Sequence, residues 1–134
     1  MIKREKRTTV LMVYPKFPAS FWSFDEAIQL LGLGATMPPT GLATVAAMLP
    51  TEQFEVLPII DLNFERLKDK DLERADLVMI SAMIVQQDSL RQIIARAKRF
   101  GKPVAAGGPY PTAYRDEVMA MGADYLVLDE AERT

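Results

Sequence analysis

Five short apolar runs alternate with helix-patterned segments along the chain. Thr8 to Tyr14 (TTVLMVY), Phe54 to Ile60 (FEVLPII), Leu77 to Ala82 (LVMISA), Pro103 to Ala106 (PVAA) and Tyr125 to Leu128 (YLVL) each read as a strand. The runs are continuously apolar rather than alternating, which is the pattern of a parallel sheet covered on both faces. Between them, Leu90, Ile93, Ile94, Ala97 and Phe100 fall on one helical stripe, with Asp88 as the expected N-cap and Gly101 as the C-terminal cap. Thr40 to Leu49 is Ala-rich, follows Pro38-Pro39 and stops at Pro50. Its apolar residues lie nearly all round, which predicts a well-buried helix. Asp69 to Ala75 and Ala113 to Met121 make two shorter helices, the second closed by Gly122.

Repeated strand–helix alternation predicts a doubly wound α/β fold with a five-stranded parallel sheet. Pro58 refines the topology. Proline cannot donate to a ladder and is tolerated on an edge strand. The order 2-1-3-4-5, Rossmann-like in its flavodoxin-like variant, places the second strand at the edge. One connection is unusual: residues 15–39, twenty-five in all, separate the first strand from the first long helix, against ~2–6 for an ordinary strand–helix loop. Ser23-Phe24-Asp25-Glu26 resembles a capping box, so a short helix from Phe24 to Leu31 ending at Gly32 is expected there. Phe17, Phe21, Trp22 and Phe24 are too apolar for a free loop. They either roof the domain's own core or close over a ligand or another domain.

Composition narrows the chemistry. The chain has 134 residues, 49% of them hydrophobic and 25% charged, which suits one domain with its own core. It contains no histidine and no cysteine. That removes imidazole and thiolate ligation, Cys–His and Ser–His pairs, and disulfides. A net charge of −2 argues against a nucleic-acid surface. The one basic cluster, Lys3-Arg4-Glu5-Lys6-Arg7, reads as a solvated tail. No apolar run approaches the ~20 residues of a membrane span, and the charged start is unlike a signal peptide, so a cytoplasmic location is expected. The chain stops at Asp129-Glu130-Ala131-Glu132-Arg133-Thr134, directly after an apolar run, which predicts a piece of a longer protein.

Familiar motifs fail. Gly32-Leu33-Gly34 lacks a third glycine and does not follow a strand, so it is no dinucleotide fingerprint. No Walker pattern is present, and the acidic and lysine positions of a phosphoacceptor receiver are missing. Three strand ends are more informative: Asp61-Leu62-Asn63-Phe64-Glu65, Ser81-Ala82-Met83 and Gly107-Gly108-Pro109-Tyr110-Pro111-Thr112. Paired glycines after a strand let a flat ligand approach the backbone, and Ser81 offers a small hydroxyl beside them. In the expected topology all three lie at the carboxyl edge of the sheet, where open α/β sheets bind ligands. A bulkier residue at Gly108 is expected to obstruct that site while sparing the fold.

The residues at those strand ends resemble the cobalamin-binding domain found N-terminal to radical SAM enzymes, in the subgroup that includes hopanoid methylases. The similarity covers essentially the whole chain. It is carried by Tyr14-Pro15 with Phe21-Trp22-Ser23-Phe24, by Pro38-Pro39 with Gly41-Leu42, by Asp76 to Met83, and by Gly107-Gly108-Pro109. Glu130-Ala131-Glu132 looks like the Gly-Glu-x-Glu that leads into the catalytic domain, with Asp129 where glycine is usual. Many cobalamin domains carry Asp-x-His-x-x-Gly where this chain has Asp61-Leu62-Asn63 and Arg66, and there the histidine ligates cobalt from below.

The resemblance implies a single cobalamin-binding domain over residues 1–134, followed by a radical SAM domain of the same chain. It implies cobalamin bound base-off without a protein imidazole, with Asn63 facing the lower axial side. The nucleotide tail would insert near Ser81 and Gly107-Gly108. The cofactor-binding residues it points to are Tyr14, Pro39, Gly41, Asp61, Asn63, Ser81, Ala82, Met83, Gly107, Gly108, Pro109, Thr112 and Glu130. A 4Fe-4S cluster and S-adenosylmethionine would belong to the catalytic domain, where methyl transfer from methylcobalamin to a substrate radical is the implied reaction. Two other classes stay open on the residues alone: a non-catalytic α/β interaction module, and a domain holding a flavin or nucleotide.

Overall fold

The computed structural model of the chain describes residues 5–18 and 39–131. The expected helix from Phe24 to Leu31, the Phe21–Phe24 segment and Glu132 lie outside the described residues. In chain order the elements are β1 (Thr8–Tyr14), α1 (Thr40–Met48), β2 (Phe54–Val56), β3 (Ile60–Asp61), α2 (Asp69–Arg74) and β4 (Leu77–Ser81). A 3-10 turn (Ile84–Gln86) then leads into α3 (Gln87–Arg99), followed by β5 (Val104–Gly107), α4 (Pro109–Ala113), α5 (Arg115–Ala120) and β6 (Tyr125–Val127). All pairings are parallel, and the order is β2-β1-β4-β5-β6 with β3 also on β1. This is the flavodoxin-like doubly wound sheet.

The second predicted strand is two pieces, β2 and β3, on the same edge of β1. Thr8–Val10 pair with Phe54–Val56, but Val13 and Tyr14 pair with Ile60 and Asp61, one residue further along. The extra residue is absorbed at Leu57-Pro58-Ile59, where Leu57 N–H still reaches the Val10 carbonyl at 3.0 Å and exposed Pro58 has no donor to lose. A bulge at an edge strand is the usual accommodation for such a residue.

Alternation along β1 divides the core. Leu11 and Val13 face a large cluster with Leu72 of α2, Leu90, Ile93, Ile94 and Ala97 of α3, and Val118 of α5. Val10, Met12 and Tyr14 face a smaller cluster with Leu42 of α1. With both faces covered, a strand has no polar side, which explains the unbroken apolar runs. The helix α1 departs from expectation: Leu42 alone of its nine residues is buried. A helix lying on a sheet touches it along one stripe, and its outer positions are largely alanine and threonine, which cost little to leave exposed.

Two further boundaries move. The cap of α3 is Gln86, held in the preceding 3-10 turn, so Asp88 sits in the first turn instead of capping. The expected Ala113–Met121 helix is two short helices broken at Tyr114, and the first begins at Pro109, a proline suited to a first helical position. Buried Tyr110 ties the pair together by donating its hydroxyl to Glu117 at 2.7 Å, and burial pushes that phenol up to about 12. Gly101 and Gly122 close their helices at φ +68° and +111°, as a left-handed cap requires.

The amino edge of the sheet repeats one device. Asp76, just before β4, accepts the Thr9 N–H at 2.8 Å and donates its own N–H to the Thr9 carbonyl. Asp124, just before β6, does the same with Val104 and also binds Lys98 at 2.7 Å. The Thr9 amide holds the Asp76 carboxyl below its usual range, and for Asp124 the Lys98 ammonium does so, with help from the Val104 amide. A carboxylate with a depressed folded-state pKa stabilises the fold above its unfolded value, ~3.9, and loses that contribution as pH falls through the folded value. Urea melts should therefore show stability dropping below about pH 4. The Asp76→Asn/Asp124→Asn double variant should start less stable at pH 7 and show a flatter acid slope; an unchanged slope would count against this role.

Candidate functional site

The carboxyl edge of the sheet opens into a groove between α1 and the ends of β4, β5 and β6. Register places its floor: Met79 lies beside Ala105, Ser81 beside Gly107, and Gly107 beside Val127, all on the α1 side. The groove has a volume of about 210 Å³. Gly41, Thr44 and Val45 of α1 form one wall and Asp129–Ala131 close the far end. Small residues at Ser81, Ala105 and Gly107 make the space between Met79 and Val127, and the lining is mainly apolar with the Ser81 hydroxyl as a polar point.

The glycines make different contributions. Among the described residues a Cβ on Gly41 would meet only the Ser81 Oγ, at 3.7 Å, so that glycine leaves space above the serine. At Gly107 a Cβ would press on Val127 at 3.3 Å. Gly108 has φ +98°, and a Cβ there would lie 2.9 Å from the Ala82 carbonyl oxygen and 3.0 Å from its nitrogen. The turn from β5 into α4 is packed directly on the end of β4. Ala82 N–H donates to the Gly107 carbonyl and Tyr110 N–H to the Ala82 carbonyl, each at 3.0 Å. The expectation that bulk at 108 spares the fold is therefore corrected: Gly108 is required by close backbone approach.

Asp129 takes φ +60°, the left-handed region in which glycine is at ease and aspartate is among the better tolerated alternatives. The chain keeps a glycine-like backbone here without glycine. Thr112 supports it, its Oγ1 accepting the Asp129 N–H at 3.0 Å. Thr112 thus fastens the segment that closes the groove, and Glu130 lies in its lining.

A second cluster forms at the carboxyl ends of β1 and β3. Asn63 Oδ1 accepts the Phe17 N–H at 2.9 Å, while Nδ2 donates to Asp61 Oδ1 at 2.8 Å and the Pro15 carbonyl at 3.3 Å. From the other side Gln86, fully buried, donates to the same carbonyl at 2.8 Å, and Ser89 Oγ accepts the Lys16 N–H at 2.9 Å. Tyr14 is buried, and Phe17 meets it edge-on at 5.8 Å. Burial raises the Tyr14 phenol above its ordinary value, partly offset by a hydrogen bond from Gln86.

The residues picked out from sequence thus fall into two groups. Gly41, Ser81, Gly107, Gly108 and Glu130 line one groove, with Ala82, Pro109 and Thr112 in the segments beside it, while Met83 is bonded to Gln86 of the neighbouring cluster. Tyr14, Asp61 and Asn63 belong to the neighbouring cluster, and Pro39 is the N-cap position of α1. Sequence reasoning missed Val45, Met79, Ala105 and Val127 in the groove, and Gln86 and Ser89 in the cluster. Register brings Met79, Ala105 and Val127 together, and the packing of α1 against the sheet adds Val45. Met83-x-x-Gln86 does carry a signal, since the Gln86 side chain accepts the Met83 N–H at 2.9 Å in a capping-box spacing.

Comparison with known proteins adds to this geometry. The model of the B12 binding domain family matches residues 29–134. A Synechocystis sp. protein named as an uncharacterized methyltransferase is 44% identical over 92% of this chain, and the hopanoid C-2 methylase of Rhodopseudomonas palustris is 36% identical over 90%. The chain spans 23% and 22% of the lengths of those two relatives. Among solved structures, the N-terminal domain of a hypothetical protein from Thermotoga maritima matches over 69% of this chain and 88% of its own, with a TM-score of 0.47 and 21% identity.

Proposed function

This chain belongs to the B12-binding domain family, and we propose that it is the cobalamin-holding module of a B12-dependent radical SAM methylase, binding its cofactor base-off. The observation that carries this reading is the groove at the carboxyl edge, where Gly41, Ser81 and Gly107 converge from three elements. Its residues fit a flat heteroaromatic base: no side chain projects from Gly41 or Gly107, the floor is mainly apolar, and the Ser81 hydroxyl is placed for a hydrogen bond. Cobalamin, when bound, supplies one-carbon group-transfer chemistry that no side chain of this chain can supply.

The chain's own residues bind and orient. Ser81 Oγ sits between Gly41 and Gly108, placed by the end of β4 to meet a polar edge of the inserted base. Gly41 and Gly107 set the groove's width. Thr112 and the left-handed Asp129 hold the closing segment across its end. With no histidine anywhere in the sequence, this chain offers no imidazole to a cobalt. A following domain with a 4Fe-4S cluster and S-adenosylmethionine, and a cytoplasmic location, belong to the same reading. The methyltransferase and methylase names of the longer relatives support it.

Titrating the purified chain with hydroxocobalamin should shift its visible spectrum to a base-off form, with colour retained through desalting. Loss of all colour on desalting, with the same result for the full-length protein, would overturn the reading. Retention of a flavin in the parallel titration would replace it with a flavin-binding function.

A further inference from the structure

The turn Asp61-Leu62-Asn63 turns its polar atoms on the chain itself. Asn63 uses its side-chain oxygen on the Phe17 N–H and its side-chain nitrogen on Asp61 and Pro15. Asp61 Oδ1 also accepts the Asn63 backbone N–H at 2.9 Å, closing a tight turn that aims the amide at β1. The Pro15 carbonyl is met a second time by buried Gln86. Three consecutive residues beyond β1 are therefore gripped from two sides, by the β3 turn and by the start of α3. That grip sets the Phe17 ring against Tyr14, in the same cluster as Leu42 of α1, whose helix walls the groove.

From this geometry we propose that Asn63 is a positioning residue. It clamps Pro15–Phe17 over the carboxyl ends of β1 and β3 and so fixes one side of the ligand-binding edge, instead of presenting a donor atom to the ligand. This differs from the expectation that Asn63 faces the cobalt. Turning the amide outward would strip the half-buried Phe17 N–H of its acceptor and leave the Pro15 carbonyl to Gln86 alone, and an unmet backbone group away from water is costly. The inference rests on the cobalamin reading above.

Asn63→Ala, Asn63→Asp and Asn63→His in the same chain test it by three measurements: amide exchange at Lys16 and Phe17, affinity for hydroxocobalamin, and the visible spectrum of the bound cofactor. In Asn63→Ala, Phe17 exchange should accelerate at least ~10-fold, affinity should fall about 10-fold, and the spectrum should stay base-off. Asn63→Asp retains an acceptor for Phe17 and should fall between it and the unsubstituted chain, which also covers failure of the alanine variant to fold. In Asn63→His the spectrum should stay free of nitrogen ligation. Unchanged Phe17 exchange and affinity in Asn63→Ala would overturn the proposal, as would a nitrogen-ligated spectrum at full affinity in Asn63→His. Failure of the unsubstituted chain to hold cobalamin would overturn the parent reading and this inference with it, and is seen before any substitution is made.

Discussion

Gly108→Val should cost this domain about 3–5 kcal/mol, enough to abolish a large share of its stability. Two independent penalties combine. A β-branched residue at φ +98° lies far outside the conformations it tolerates. Its Cβ would also sit 2.9 Å from the Ala82 carbonyl oxygen, and that carbonyl is held in place by the Tyr110 N–H. Backbone cannot rotate away as a side chain can, so β4 and α4 would have to separate. Urea unfolding followed by far-UV circular dichroism measures the loss. Gly108→Ala should show most of the same effect, because the positive φ and the Cβ contact are already present in alanine. A Gly108→Val chain that unfolds at the same urea concentration as the unsubstituted chain would refute this account of the turn.

Gly41→Leu is expected to do the opposite: leave the fold standing and weaken cobalamin binding at least ~100-fold, or about 2.7 kcal/mol. Gly41 lies in the first turn of α1, where side chains are welcome, and its Cβ direction opens onto the groove above Ser81. Leucine would occupy space that the groove reserves. Gly41→Ala separates the two effects. Its Cβ makes an ordinary 3.7 Å contact with Ser81 Oγ, and replacing a helical glycine should stabilise by about 0.5–1 kcal/mol. Thermal melts and hydroxocobalamin titrations on both variants give the answer. Undiminished affinity in Gly41→Leu would remove the groove as the binding site.

The contrast between two glycines in one pocket shows where sequence reading stops. Both stand beside Ser81, and both belong to segments that signal a ligand site. Which one is spacer and which one is structural depends on where each Cβ would point, and that depends on the approach of β4 to the β5–α4 turn. Asn63 teaches the same lesson. Its position in the Asp61-Leu62-Asn63 turn suggested a group facing a metal; what only the structure supplies is that its side chain bonds Pro15 and Phe17, forty-eight and forty-six residues earlier, as well as neighbouring Asp61. Gln86 carried only a weak local signal and proves to be a fully buried anchor of the same segment.

The sequence by itself determined the strands and most helices, because continuous apolar runs and helical stripes are local consequences of burial on two faces or one. It also determined the strand order through Pro58, since a missing N–H is tolerable at an edge, and it set the absence of imidazole and thiolate chemistry. Tertiary structure alone decided the one-residue bulge at Leu57–Ile59, the exposure of α1's outer side, and the groove floor of Met79, Ser81, Ala105, Gly107 and Val127. It alone also decided the clamp on Pro15–Phe17. These are matters of register and approach between segments distant in sequence. Local propensity sets which element forms; only packing sets which residues of two elements meet, and a binding site is made of such meetings.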